Sequence, residues 1–270
     1  MALVSIVMPM YNSAPYLSMA ISSVIQQTYK KWELILVDDC SNDESVSIAN
    51  EFCKRDDRIK LITLNKNMGA ANARNKGVDV ARGRFISFLD SDDIWLPMKL
   101  NIQVDFMLKH DFSFTYTAYN KIDQAGKKIF SLGVADSLKY QDLLKCCTIG
   151  CLTVMYDTRY LGKLYFSTAT KREDYALWLY ILREKNVIAN GINNVLACYR
   201  VYPTQSSAKK ITMAIENWKL LREQENLSFV SAVYYFSQYA IRGILRDKYP
   251  RQAKKIGIIN EPVEFDISFY

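Results

Sequence analysis

The stretch Phe85-Ile-Ser-Phe-Leu-Asp-Ser-Asp-Asp93 decides the fold. Phe85 to Leu89 is a short, mainly apolar run without helical spacing, which predicts a buried strand. Three acids, Asp90, Asp92 and Asp93, follow at its carboxyl end. The same pattern precedes it. Val4 to Met8 predicts a strand that Pro9 ends, with Tyr11-Asn12 beyond it. Glu33 to Val37 predicts a strand that stops at Asp38-Asp39 and a polar turn through Asp43. Ile59 to Thr63 predicts another.

Helical spacing fills the gaps. Leu17, Ala20, Ile21, Val24 and Ile25 predict a helix over Tyr16 to Gln27, with Ser13 as its N-cap. A second helix passes through Ile48, Ala49 and Phe52, and a third runs from Ala70 to Ala81 before Gly83. Strands alternating with helices imply βαβ units, hence an α/β fold with a mostly parallel central sheet flanked by helices. Ligands of such sheets bind beyond the carboxyl ends of the strands. The polar and acidic sets after three strands therefore converge on one edge.

Later signals are weaker. Phe114 to Tyr119, Cys151 to Tyr156 and Val195 to Val201 predict strands. Tyr175 to Glu184 predicts a helix with Leu177, Trp178, Ile181 and Leu182 on one face, and the pattern is helical from Ile211 onward.

Composition sets the outer bounds. A chain of 270 residues, 50% hydrophobic and 23% charged, is globular and large enough for one α/β domain with an appendage. Its net charge of +7 favours an anionic partner, whether a nucleotide diphosphate, a lipid diphosphate, an acidic bilayer or nucleic acid. Six cysteines form no CxxC pair, and one histidine, His110, rules out zinc-finger spacing. With no secretory leader ahead of the first strand, they are expected to be reduced thiols in a cytoplasmic protein. No apolar stretch reaches the roughly 18–20 residues of a membrane-spanning helix. The nearest, Leu227 to Ile241, is uncharged but broken by Ser228, Ser231, Ser237 and Gln238.

Along an extended chain Asp90 and Asp92 point the same way and can share a target. Paired carboxylates repel unless a cation lies between them, and a hard divalent ion, Mn²⁺ or Mg²⁺, fits oxygen ligands backed by phosphate. The alternative is that Asp90 or Asp92 caps a helix starting near Pro97.

Here the sequence resembles the inverting family-2 glycosyltransferases with the GT-A fold. The resemblance is carried by Val4-Ser-Ile-Val-Met-Pro-Met-Tyr-Asn12, Glu33-Leu-Ile-Leu-Val-Asp-Asp-Cys-Ser-Asn-Asp43, Asn67-Met-Gly-Ala-Ala-Asn-Ala-Arg-Asn75 and Gly83-Arg-Phe-Ile-Ser-Phe-Leu-Asp-Ser-Asp-Asp93. It implies that Pro9, Tyr11 and Asn12 line a base pocket, with Tyr11 beside a uracil ring. Asp39 would accept from the uracil imide, or else cap the following turn. Arg74 would lie near the nucleotide, or else on a solvated helix face. Asp90-Ser91-Asp92 would be the metal motif, Asp92 touching the metal and Asp90 and Ser91 near the ribose, with Asp93 as a further member.

A second block, Lys171-Arg-Glu-Asp-Tyr-Ala-Leu-Trp178, carries the family's general base. Asp174 is the choice and Glu173 the reserve; a helix N-cap is the structural alternative. Lys171 or Arg172 would help the metal neutralise the departing diphosphate. In Cys198-Tyr-Arg-Val-Tyr-Pro-Thr-Gln-Ser-Ser207, Arg200, Ser206 and Ser207 match a loop closing over the diphosphate. Tyr202 stands where the family often has histidine. The Gln-x-x-Arg-Trp block of processive synthases is absent, which implies single-sugar addition.

The implied organisation is a catalytic domain over 1–208, with a nucleotide half (1–100) and an acceptor half (101–208), then a basic helical extension over 209–270. Residues 240–257 hold six Lys or Arg against one acid, Asp247. They could pack on the catalytic domain or lie on the cytoplasmic face of an inner membrane. The implied partners are a UDP-sugar and a saccharide acceptor on a polyprenyl diphosphate, as in O-antigen, capsule or teichuronic-type synthesis; nucleic acid is not expected. Two other readings compete. A sugar nucleotidyltransferase would need a glycine-rich loop where Pro9-Met-Tyr-Asn12 stands. A non-catalytic nucleotide-sugar binder would lack the metal acids or the base.

Overall fold

Val4–Met10 (β1), Trp32–Asp38 (β2), Ile59–Thr63 (β3) and Phe85–Phe88 (β4) are parallel neighbours in the order β3-β2-β1-β4. They open one sheet of ten strands among the residues that this computed structural model describes, 1–202 and 210–264. The later strands are Ile94–Trp95 (β5), Phe114–Ile122 (β6), Lys128–Leu132 (β7), Ser137–Leu138 (β8), Met155–Asp157 (β9) and Ala189–Arg200 (β10). They extend it as β4-β9-β6-β10-β5, with β7 on β6 and β8 on β10. Within this part β6 and β10 are parallel and the other pairs antiparallel.

Ala14–Ile25 (α1), Ser45–Arg55 (α2) and Ala70–Val80 (α3) are the crossovers of the parallel half. Lys99–His110 (α4), Tyr140–Lys145 (α5), Thr158–Leu161 (α6) and Glu173–Glu184 (α7) follow. Lys210–Lys219 (α8) runs into a π-helical turn, Leu220–Gln224, before Phe229–Lys248 (α9) and Pro250–Lys255 (α10).

Several local expectations need correction. Pro9 does not end β1, which continues to Met10. Val7 bonds toward β4, accepting from the N–H of Leu89, so Pro9 shares that side one step further on. The pairing with β4 stops at Val7, and the missing N–H of Pro9 costs no ladder bond. Ser13 does not cap α1 with its hydroxyl; Asp43 Oδ2 accepts from the N–H of Ala14 instead, at 3.0 Å. Cys151 to Tyr156 is not one strand. Cys151–Thr153 is a 3₁₀ turn, its end held by Thr153 Oγ1 donating to the carbonyl of Gly150, and only Met155–Asp157 pairs.

The core lies on both faces of the sheet. On one face α7 packs by Trp178, which is fully buried among Phe88, Phe114 and Phe166. Burying an indole of this size contributes about 3 kcal/mol, and it holds the first turn of α7 beside the carboxyl end of β4. Helix α9 packs behind α7. Arg172 Nη2 donates to the Tyr239 hydroxyl at 2.6 Å, and its guanidinium lies 4.9 Å from the centroids of both the Tyr175 and Tyr239 rings, which stack on each other. The tail returns to β10, where Val195 N–H donates to the carbonyl of Val263.

Candidate active site

Four chain segments meet at the carboxyl edge of β1, β2 and β4. Short polar contacts lock them together. Ser13, after β1, and Ser91, after β4, share a hydrogen bond of 2.7 Å between hydroxyls. Asn12 takes a left-handed backbone, φ 48°, a conformation asparagine tolerates. Its N–H donates to Ser41 Oγ, and its Oδ1 accepts from the N–H of Asn42. Tyr11 beside it keeps a half-exposed ring, while Pro9 is buried within β1.

Asp39 is buried and accepts from two backbone donors, Met68 N–H and Gly69 N–H, each at 2.7 Å. These are orphan donors ahead of α3, and the carboxylate suits the positive end of that helix. A carboxylate has about four lone-pair sites, so capping leaves acceptor capacity for a ligand N–H.

Helix α3 then delivers Arg74. Its Nη2 donates to Asp90 Oδ1 at 2.6 Å and its Nη1 to Glu173 Oε1 at 3.1 Å. Its face is not solvated: Arg74 is only 6% exposed, with Phe166 under its guanidinium. Burial raises the Glu173 carboxyl above its usual range against the pull of Arg74, and Asp174 adds to the rise. Cys151 lies beneath the group. Burial pushes its thiol up, and it feels Arg74, Asp90, Asp174 and Glu173 together. Asp174 occupies the first turn of α7 with a partly exposed side chain.

Residues 90–93 form a turn, with Asp93 N–H donating to the Asp90 carbonyl at 3.1 Å. The extended-chain alternation expected for Asp90 and Asp92 does not apply. Asp90 faces Arg74, while Asp92 Oδ2 accepts from the Tyr202 hydroxyl at 2.9 Å. Neither caps α4, which starts at Lys99 after Met98. Asp93 points inward, and its Oδ1 accepts from the N–H of Arg200. Burial, then Asp92 and Asp90, push its carboxyl well above the usual range.

Arg200 is buried and turned away from the rim. Its Nε donates to the Asp92 carbonyl, and its Nη1 to the carbonyls of Asp123 and Gln124. It holds the Asp90–Asp93 turn in place instead of reaching outward as expected. Arg172 is likewise engaged, held against Tyr175 and Tyr239, whereas Lys171 is exposed. Ser206 and Ser207 lie outside the described residues.

The profile of the family described as Glycosyl transferase family 2 matches residues 5–151. The chain belongs to glycosyl transferase family 2. This glycosyltransferase is 40% identical over 239 residues to the "Putative teichuronic acid biosynthesis glycosyltransferase TuaG" of Bacillus subtilis, covering 88% of this chain and 94% of that one. It is 42% identical over 244 residues to the Escherichia coli "UDP-Glc:alpha-D-GlcNAc-diphosphoundecaprenol beta-1,3-glucosyltransferase WfgD", covering 90% and 94%. Among solved structures it resembles S. aureus TarS 1-349 in complex with UDP-GlcNAc, with TM-score 0.67 and 18% identity, over 95% of this chain and 79% of that one. The mannosyltransferase PcManGT of Pyrobaculum calidifontis, in complex with GDP-Man and Mn²⁺, gives TM-score 0.65 at 15% identity, over 94% and 78%. These likenesses establish the GT-A fold of the glycosyltransferase.

Among its described residues no three His, Cys, Asp or Glu side chains stand close enough to cage a metal alone. Asp92 is a partly exposed carboxylate at the rim. One or two carboxylates completed by substrate phosphates are what Mg²⁺ or Mn²⁺ usually takes, so the donor set fits. Sequence reasoning missed the Tyr202–Asp92 contact and the inward role of Arg200. It also left Arg74 undecided, although Arg74 stands inside the small, buried stripe Ala73, Gly77 and Val78 of α3.

Proposed function

We propose that this chain is an inverting glycosyltransferase. It moves a single hexose or N-acetylhexosamine from a UDP-sugar to a hydroxyl of a polyprenyl-diphosphate-linked saccharide in cell-surface polysaccharide synthesis. The observation that carries this reading is the Arg74 bridge, which joins Asp90 on the nucleotide side to Glu173, the first residue of α7 and the neighbour of Asp174. The UDP-Glc donor and diphosphoundecaprenol acceptor of WfgD, the UDP-GlcNAc in the TarS complex and the teichuronic acid role of TuaG support the donor, the acceptor and the cell-surface polysaccharide setting.

Residues 1–100 bind the donor. Tyr11 offers its exposed ring to the base, beside Asn12, and Asp39 accepts from the imide with the lone pairs that Met68 and Gly69 leave. Asp90 and Ser91 stand near the ribose. Asp92 would hold the divalent ion, Mn²⁺ or Mg²⁺, whose charge offsets that of the diphosphate. Lys171, exposed ahead of α7, adds a second cation there.

Residues 101–208 present the acceptor. Asp174 takes the proton of the acceptor hydroxyl as that oxygen bonds to the anomeric carbon. The bond from that carbon to the β-phosphate oxygen breaks, and UDP leaves from the opposite face with inversion. Glu173 is the weaker candidate, because its Oε1 is spent on Arg74.

The test follows UDP release from a panel of UDP-sugars with Mn²⁺ and a lipid-linked acceptor. Asp92→Ala abolishes release. Asp174→Asn abolishes transfer while donor affinity, read by calorimetry, stays at the wild-type value. Wild-type turnover in Asp174→Asn would overturn the assignment of the base.

A further inference from the structure

Helix α9 presents two different faces. Ala232, Tyr235, Phe236 and Tyr239 pack against the core. On the other side Val230, Val233, Tyr234, Ser237, Ile241 and Ile244 are all exposed. At helical spacing these six positions fall in a stripe roughly 100° wide. The stripe follows most of a helix of 20 residues, about 30 Å long. Val230 begins it at 78% exposed. Scattered exposed apolar residues need no explanation, but a continuous stripe marks an interaction surface.

Charge indicates what covers it. Beyond Ile244 come Lys248, Arg251 and Lys255, all exposed. Between 229 and 256 six Lys or Arg stand against one acid, Asp247. A second copy of the chain would bring these cations against a protein of net charge +7. An exposed apolar stripe with a tyrosine, followed by cations at the end of α9 (Lys248) and on α10 (Arg251, Lys255), matches the interface of an anionic bilayer, where acyl chains meet phosphate headgroups.

We propose that α9 lies along an anionic membrane surface, with its stripe in the headgroup–acyl boundary and Lys248, Arg251 and Lys255 against lipid phosphates. No helix among the described residues is long and apolar enough to cross a membrane, so this contact is in the plane. The hydrogen bond from Arg172 to Tyr239 ties this helix to the residue just before Glu173 and Asp174. The helix proposed to meet lipid is thus tied to the turn that carries the acids. The benefit for a lipid-linked acceptor rests on the proposed function; the docking surface does not.

The test is flotation of the full chain with vesicles of phosphatidylcholine alone, or of equal parts phosphatidylcholine and phosphatidylglycerol. The protein floats with the anionic vesicles only, less so as salt rises. The triple change Val233→Asp, Ile241→Asp, Ile244→Asp lowers the bound fraction about tenfold. Lys248→Glu, Arg251→Glu, Lys255→Glu does the same and removes the salt dependence. Both variants keep wild-type UDP release with a water-soluble acceptor, which shows that they are folded. Failure of the wild-type protein to float, or floating of both variants at the wild-type level, overturns the proposal. So does sedimentation showing that the Asp variant turns a dimer into monomers, because a second copy then covers the stripe. Floating without any UDP release would sink the proposed function and leave the docking surface standing.

Discussion

Arg74 and Glu173 lie 99 positions apart in the chain and meet at 3.1 Å. The same guanidinium holds Asp90 at 2.6 Å. One side chain on α3 thus sets the spacing between the end of β4 and the first turn of α7. Donor and acceptor groups must be placed to within a fraction of an ångström for transfer, so this link should matter to rate as well as to stability.

Arg74→Met removes both contacts and leaves two acids near each other. Losing one partner of a largely buried ion pair costs several kcal/mol, reduced here because Asp90 and Glu173 are partly exposed. We expect a loss of about 2–3 kcal/mol, read from urea unfolding. Transfer should fall about a hundredfold, and Arg74→Lys should not restore it, because an ammonium cannot span both carboxylates in the same way.

Tyr202→Phe deletes the donor to Asp92 Oδ2. That phenol orients the carboxylate, and lost outer contacts of this kind weaken metal binding about tenfold or more. Titrating Mn²⁺ against UDP release should show an apparent affinity about tenfold weaker, with the saturating rate little changed. An unchanged titration would remove Tyr202 from the site.

Glu33 is one carboxyl through which the fold gains stability above acidic pH. Burial alone would push its carboxyl up, but hydrogen bonds from Ser5 and from Arg82, with the Arg82 charge, outweigh it and hold it below its ordinary value of 4.5. A depressed carboxyl contributes stability above its unfolded pKa and loses it as pH falls through the folded one. Unfolding free energy should therefore drop as pH falls below about 4.5, and the drop should be shallower in Glu33→Gln. Thermal scans between neutral and acidic buffers provide the check.

Gly77 lies on the same helix as Arg74, where α3 closes on β1. A Cβ there would stand 2.4 Å from Val7 Cγ1. Gly77→Ala should therefore destabilise by about 1–3 kcal/mol despite the better helix propensity of alanine. It should also lower transfer by displacing Arg74. Gly77→Ala combined with Val7→Ala should recover most of the loss, as measured by denaturation of both variants.

Local signals located every strand and helix of the parallel half, though not the end of β1 or the acceptor that caps α1. Buried strands such as Val4–Met10 and Trp32–Asp38 are nearly continuous apolar runs, and the acids that follow them stand out against that background. The antiparallel half was harder to read. Cys151 to Tyr156 has strand composition, yet a 3₁₀ turn takes its first half. The carbonyl of Leu152 in that turn accepts from Trp95 Nε1, a partner 57 positions away that local sequence does not reveal.

What the sequence by itself determined was the alternation of elements, the edge on which the acids gather and the family, because hydrophobic period and motif spacing are properties of neighbouring residues. Which acid faces which partner was decided only in three dimensions. Arg200 turned inward, Arg74 became a bridge, and Asp90 and Asp92 parted to different neighbours. The physical reason is that a charged side chain goes where burial and hydrogen-bond partners balance, and those partners come from segments that only the folded chain brings together.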